Sequence, residues 1–224
     1  GDAGVPQFPP GGEVQERQRG ERLQAALFRI AELSSTTDTL ESFYASVHAI
    51  VGGLLDARNF FIGQLSDDGT ELDFPYSVDE RDPSRPRRRL ANGLTEYVLR
   101  TARPLLANRE EVERLADAGE VQSFGAPSVC WLGVPLMVEE RAVGVIAVQS
   151  YSPDHLFSSR DQELLTFVSY HIATGMVRKR AQESLRQAYA ELERRVEERT
   201  GELAETNREL RDQILGPPDV VGSG

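Results

Sequence analysis

Cysteine is nearly absent from the sequence: Cys130 is the only one. That excludes an intramolecular disulfide and any thiolate metal cluster, and it suits a reducing, cytoplasmic setting. Histidine is almost as scarce. His48, His155 and His171 are far apart, and no two have the spacing of a zinc or haem site. Neither a metal nor a cofactor is therefore expected. Positive charge is also in short supply. With 25 basic against 36 acidic side chains the formal charge is −11. A phosphate backbone would be repelled, so nucleic acid is not an expected partner. No apolar run approaches the roughly 20 residues that cross a bilayer, so this stretch should make no membrane contact. The Gly/Pro-rich start lacks the basic-then-apolar order of a secretory signal. There is no phosphate-cradling glycine loop and no nucleophile elbow, and no catalytic residue is nominated.

What is present is the composition of an ordinary globular core, 39% hydrophobic and 27% charged, on a 224-residue chain with room for one sizeable domain and appendages. Pro6, Pro9, Pro10, Gly11 and Gly12 make residues 1–13 a flexible leader. Leu23, Leu27, Ile30 and Leu33 recur at three-to-four spacing and predict an amphipathic helix over residues 14–33, weakened at Gly20. Asp38 offers a cap for a second helix, with Glu41 completing a capping box. Leu40, Phe43, Val47, Ile50, Val51 and Leu54 form its buried face.

Residues 59–65 and 71–77 read as a β-hairpin around Asp67-Asp68-Gly69, with Leu72, Phe74 and Tyr76 alternating. Pro83, Pro86 and five arginines make residues 78–92 an irregular excursion, followed by a short helix over 94–101. A charged helix over 109–118 precedes two strands, 130–138 and 142–149, joined by Glu139-Glu140-Arg141. The run Val143-Gly144-Val145-Ile146-Ala147-Val148 is apolar almost throughout, so it belongs in the middle of a sheet covered on both faces. Ser158 then caps a helix, with Asp161 at its third position, that continues without a proline to about Leu215. Tyr189, Val196, Leu203 and Leu210 share one heptad position and Leu185 and Leu192 its companion, the seam of a coiled coil. Beyond Leu192 the companion position holds Arg199, Thr206 and Gln213, so the seam is half polar. It suits either a solvated helix or a bistable connector. Pattern alone thus gives mixed α and β structure with a coiled coil.

Several segments resemble GAF domains attached to diguanylate cyclases and histidine kinases. They are Trp131-Leu132-Gly133-Val134-Pro135-Leu136, Val143 through Tyr151, Phe157-Ser158 with Asp161-Gln162-Glu163-Leu164-Leu165, and Gly93-Leu94-Thr95-Glu96-Tyr97-Val98. The resemblance spans about residues 22–178. The stretch from Glu191 to Thr200, with Glu202-Leu203 and Asn207-Arg208-Glu209-Leu210, is similar to the linker before those output domains. The resemblance implies an α+β fold: a GAF-like antiparallel sheet packed between helices, with long N- and C-terminal helices, the latter a parallel coiled coil. It also implies an internal small-molecule pocket on one face and homodimers through the terminal helices. The chain then divides into a leader at 1–13, a sensor domain at 14–178, a coiled-coil signalling linker at 179–215 and a flexible tail at 216–224.

In such a fold the pocket lies between the sheet and residues 78–101 and 109–128. Phe60, Phe74, Tyr76, Tyr97 and Trp131 are the aromatics placed to line it, with Thr95 as a polar contact. Burial in the core is the plainer reading for most of them. Cyclic-nucleotide-binding members carry Asn-Lys, then Phe, then Asp-Glu. This chain keeps Phe157 and Asp161 but has Gln149-Ser150 and Gln162 in the other places, which argues against that ligand. Arg85, Arg87, Arg88 and Arg89 form a positive patch fit for phosphate, or a solvated loop balancing nearby acids. Cys130 precedes Trp131, where bilin-attaching relatives usually have His, and reads as a small buried hydrophobe. His171 lacks the acidic residue and Arg that follow a kinase's phospho-acceptor.

The resulting expectation is a cytoplasmic sensor module of a multidomain bacterial signal-transduction protein, without catalytic activity of its own. It would bind an unidentified small molecule or sense a partner, and pass the change through a dimeric coiled coil to an output domain. A diguanylate cyclase or phosphodiesterase, in cyclic di-GMP signalling, is favoured slightly over a histidine kinase of a two-component system. The alternative is a ligand-free dimerisation scaffold. An enzyme like the methionine-sulfoxide reductases that share the GAF fold would need reactive cysteines, and this chain has one.

Overall fold

The computed structural model describes residues 11–82, 84–122 and 127–216. The expected leader up to residue 10 and the expected tail from residue 217 lie outside the described residues. The chain divides into two units, one reaching to Lys179 and the other starting at Arg180.

The first helix, α1, is Gly11–Thr36. It takes in Gly11 and Gly12, which the sequence assigned to the leader. The good helix formers that follow outweigh a cost of about 1 kcal/mol per glycine. The second, α2, is Leu40–Gly52, and its cap is Thr39 and not Asp38: Thr39 has extended backbone, and its Oγ1 accepts from the Ser42 N–H at 3.1 Å. Phe43, Tyr44, Val47, Ile50 and Val51 are its buried face.

Six strands follow: β1 Asn59–Leu65, β2 Glu71–Val78, β3 Arg88–Arg89, β4 Leu105–Asn108, β5 Cys130–Val138 and β6 Arg141–Ser150. They form one antiparallel sheet in the order β3-β2-β1-β6-β5-β4. The apolar run of β6 is central, as its composition requires. The two edge strands are too short to carry an alternation signal, and periodicity did not reveal them.

The sheet is covered on both faces. On the first, Phe60, Ile62, Leu132, Val134, Ile146 and Val148 pack with Ile30 of α1, Phe43 and Val47 of α2, and the start of α5 (Ser159–Leu215). Leu165, Val168, Ile172, Ala173 and Met176 of α5 complete that core. On the second, Phe61, Trp131, Val145 and Ala147 pack with Val98 of α3 (Leu94–Thr101) and Leu115 of α4 (Arg109–Asp117). Ser158 and Asp161 start α5 reciprocally: the Ser158 N–H donates to Asp161 Oδ2 at 2.8 Å, and the Asp161 N–H donates to Ser158 Oγ at 3.3 Å.

Between Ile62 and Gln64 the register of β1 against β2 shifts. Ile62 faces Tyr76 and Gln64 faces Asp73, so Phe74 and Pro75 together stand opposite Gly63. This bulge flips the faces of β2. Tyr76 packs on the first face and Phe74 on the second. Pro75, with no N–H to give to a ladder, sits where the ladder is broken.

In the second unit, Leu185, Tyr189, Leu192, Val196, Leu203 and Leu210 of α5 are each between 49% and 63% exposed. Arg194 pairs with Glu191 and Glu198, and Arg199 with Glu202, along the same helix.

Candidate functional site

The second face of the sheet carries a cavity of about 530 Å3. Its floor comes from the strands: Phe61 of β1, Phe74 of β2, Trp131 of β5 and Gln149 of β6. Phe61 and Phe74 meet edge to face at 5.7 Å. The Trp131 indole lies over Gly133, two residues along the same strand; a Cβ there would overlap the six-membered ring. Glycine is thus what lets the indole lie flat on the floor.

The walls come from the helices and loops. Leu94 and Thr95 of α3 stand on one side, and Arg109, Val112 and Glu113 of α4 on another. Ser84, Arg85 and Pro86 close the side between β2 and β3. α3 is placed by Glu96, which is only 5% exposed. Its carboxylate accepts from the backbone N–H of Ala91 (3.1 Å) and of Gly93 (3.2 Å), and it pairs with Arg88. Burial pushes the Glu96 carboxyl up, but Arg88 and the backbone N–H groups of Glu96 and Ala91 outweigh it and hold it below its usual range.

The arginine loop is held by Asp79, whose side chain is 1% exposed. Its carboxylate accepts from the N–H groups of Arg81 and Asp82, both at 2.9 Å, from Tyr151 Oη at 2.9 Å, from Arg85 Nη2 at 3.2 Å and from Gln149 Nε2. Burial raises the Asp79 carboxyl, yet the hydrogen bonds from Arg81, Gln149, Tyr151 and Asp82 together leave it below the ordinary value. Tyr151 responds in the opposite sense: burial, then the Asp79 carboxylate, push its phenol up. The Arg85 guanidinium lies 4.3 Å from the centre of the Phe61 ring, a cation over a cavity wall.

Of the expected pocket residues, the structure brings together Phe74, Thr95 and Trp131 on the cavity. Phe60 and Tyr76 lie on the opposite face, where His48 stacks on Phe60 at 4.5 Å and accepts from Tyr76 Oη at 3.0 Å. The His48 roles are set by its other nitrogen, which faces the Ala57 carbonyl at 2.7 Å and must donate. Tyr97 is half-buried beside the cavity cluster, under the Arg100 guanidinium at 5.4 Å, and does not line the space. The floor aromatic that sequence reasoning missed is Phe61. In Asn59-Phe60-Phe61-Ile62 both faces are covered, so no alternation tells which phenylalanine faces which way. For Tyr76 the signal was present: a proline inside an alternating run marks a bulge.

The other candidates have structural surroundings. Arg87 pairs with Glu71 at 2.5 Å, Arg88 with Glu96 and Arg85 with Asp79, so the arginine run is dispersed among acids. Cys130 is buried, and burial pushes its thiol up. Phe157 is buried in the first core, and Asp161 caps α5. His171 sits between the exposed rings of Phe167 and Tyr170. Among the described residues, no three His, Cys, Asp or Glu side chains are grouped to hold a metal ion. No described helix is long and apolar enough to cross a membrane.

Known proteins share this architecture. The GAF domain of a phosphoenolpyruvate-protein phosphotransferase from Coxiella burnetii superposes with a TM-score of 0.58 at 16% identity, over 73% of this chain and 98% of that one. Free methionine-R-sulfoxide reductase from Neisseria meningitidis, in complex with its substrate, gives 0.56 at 14% identity, over 71% and 91%. Residues 122 to 287 of a methyl-accepting chemotaxis protein give 0.56 at 16%, over 70% and 99%. At these identities the likeness is one of fold. In sequence, the chain is 33% identical over 87 residues to the circadian input-output histidine kinase CikA of Thermosynechococcus vestitus. That match covers 38% of this chain and 12% of the kinase. Two of these relatives, the kinase and the chemotaxis protein, are signalling proteins. The family model of the GAF domain matches residues 37–177, which is most of the chain, and the protein belongs to the GAF domain family.

Proposed function

We propose that the chain is the sensory module of a multidomain bacterial signal-transduction protein, taking a small molecule into the cavity over β1, β2, β5 and β6. The cavity carries this reading. At about 530 Å3 it falls within the roughly 300–1,000 Å3 of small-molecule sites, with aromatic walls and a few fixed polar groups. A ligand that binds one packing of these walls better than another shifts the balance between them. α5 is the element suited to pass that change on, because it contributes to the first core and continues to Leu215. Homodimerisation through the heptad stripe from Leu185 to Leu210 would deliver it to a paired output domain. The partial likeness to CikA adds weight to a histidine kinase as that output, beside the diguanylate cyclase or phosphodiesterase that the linker residues resemble. No catalytic role is proposed for this stretch. Cys130, buried with a raised thiol, is poorly suited to reductase chemistry.

Thermal unfolding against cyclic nucleotides, purines and a metabolite panel tests the reading. A ligand at a hundred times its Kd adds about 2.7 kcal/mol, which is several degrees of Tm. A shift lost on truncating Trp131 supports a receptor. A flat panel favours the second reading, a ligand-free dimerisation scaffold, for which the exposed heptad stripe also speaks.

A further inference from the structure

The charged side chains on the cavity wall do not all answer one another. Arg85 is met by Asp79 and Asp82, and Arg88 by Glu96. That leaves Arg109 and Glu113 of α4, which also line the cavity. Among the described residues neither side chain has an ion-pair or hydrogen-bond partner, whereas Arg114 on the same helix pairs with Glu111. Both are exposed, so a molecule in the cavity can reach their charged groups.

Helix stability does not account for this placement. Arg109 is the first residue of α4, next to the Asn108 cap, at the positive end of the helix dipole, where a cation is disfavoured. Glu113 follows one turn later on the same face, but Arg before Glu is the weaker order for a pair four residues apart. The cavity thus has one unmatched charge of each sign, in neighbouring places. A lone anion at Arg109 would stand beside the Glu113 carboxylate, and a lone cation at Glu113 beside the Arg109 guanidinium. A zwitterion with both charges on one carbon satisfies the two at once, because the guanidinium fork receives a carboxylate and the Glu113 carboxylate an ammonium. Much of the remaining lining is apolar, with Phe61, Phe74, Val112, Val121 and Trp131, and suits an apolar or aromatic side chain.

Resting on the cavity being a ligand site, we propose that its ligand is a free α-amino acid with an apolar or aromatic side chain. Arg109 receives the α-carboxylate, Glu113 the α-ammonium, and the floor of Phe61, Phe74 and Trp131 the side chain.

The probes are L-phenylalanine and L-leucine. Each is set beside its analogue without the ammonium, 3-phenylpropionate or 4-methylpentanoate, and without the carboxylate, 2-phenylethylamine or 3-methylbutylamine. Calorimetry of the full chain measures the affinities. Trp131, the only tryptophan and a lining residue, reports by its emission that the compound is in this cavity. At least one amino acid is expected to bind about tenfold or more tighter than both of its analogues, a comparison that needs no variant. Arg109→Gln should weaken that amino acid about tenfold or more without weakening the amine, and Glu113→Gln should weaken it as much without weakening the acid. Both residues are exposed, so both variants should keep the wild-type Tm, which circular dichroism checks. An analogue as tight as its amino acid, or amino-acid binding indifferent to either variant, overturns the proposal and leaves the cavity a ligand site. So does silence of both amino acids when a member of the metabolite panel changes Trp131 emission. If no compound of either set binds there, the cavity reading falls as well.

Discussion

Gly133 and Trp131 make one feature of the floor between them. The indole occupies the space a side chain at 133 would take, so Gly133→Ala forces the ring off the sheet. A cost of about 1–3 kcal/mol is expected, as for other overpacked sites. Urea unfolding measures it, and a shifted Trp131 emission maximum shows that the ring has moved. Asp79 has its effect through pH. Its carboxyl is held below the ordinary value of about 3.9 when folded. The stabilisation it brings is therefore complete above that value and drains away as pH falls through the lower folded one. Glu96 has the same sign. Asp79→Asn is expected to lose about 2 kcal/mol at pH 7, less than a fully buried pair because Arg85 keeps 16% exposure. It should also flatten the acid limb of stability below about pH 4, measured by urea unfolding at stepped pH. An acid limb equally steep in both proteins would contradict the account.

Among the elements, the part of α5 that belongs to the first unit is held there by apolar side chains and by one buried cation. Lys179 is 3% exposed, and its ammonium donates to the Thr37 carbonyl in the turn between α1 and α2. The C-terminal end of α1 is also the negative end of its dipole, so a cation there is favoured. Replacing Lys179 by Met keeps the length and removes the donor. The expected loss is about 1.5–3 kcal/mol, the range for a hydrogen bond to a charged group. Hydrogen exchange should show faster opening around residues 36–40 than in the strands. The same elements explain how far pattern reading reached. Helices α1, α2 and α5 and strands β1, β2, β5 and β6 were legible because each repeats its period several times. β3 and β4 were not, since two or four residues contain no period to read.

For the whole molecule, the open question of chemistry is what meets the stripe on the second unit. Leu192 and Val196, both 56% exposed in the single chain, lie at companion positions of the heptad. Each apolar side chain buried in a seam contributes about 1.5–3 kcal/mol. On the proposed dimer through this stripe, Leu192→Asp with Val196→Asp is expected to weaken self-association about a hundredfold or more by sedimentation equilibrium, while Trp131 emission stays unchanged. Equal association in both proteins, or none in either, would overturn the proposed seam.

The sequence by itself determined the main helices and long strands and the central place of β6, because periodicity and capping chemistry are local, and the GAF resemblance, which short matching segments carried. It also carried half of the floor and walls nominated for the pocket: Phe74, Thr95 and Trp131. Only the tertiary structure decided the rest. Whether Phe60 or Phe61 faces the cavity depends on the register of a strand buried on both sides, and Tyr76 left the cavity face through the bulge at Gly63 and Pro75. Arg85 could be read as one charge in a run of arginines. Its place over Phe61, with two nitrogens matched by acids and the third buried without an acceptor, follows from where Asp79 is fastened beside Gln149 and Tyr151. That juxtaposition joins residues some 70 positions apart, and no local pattern encodes it.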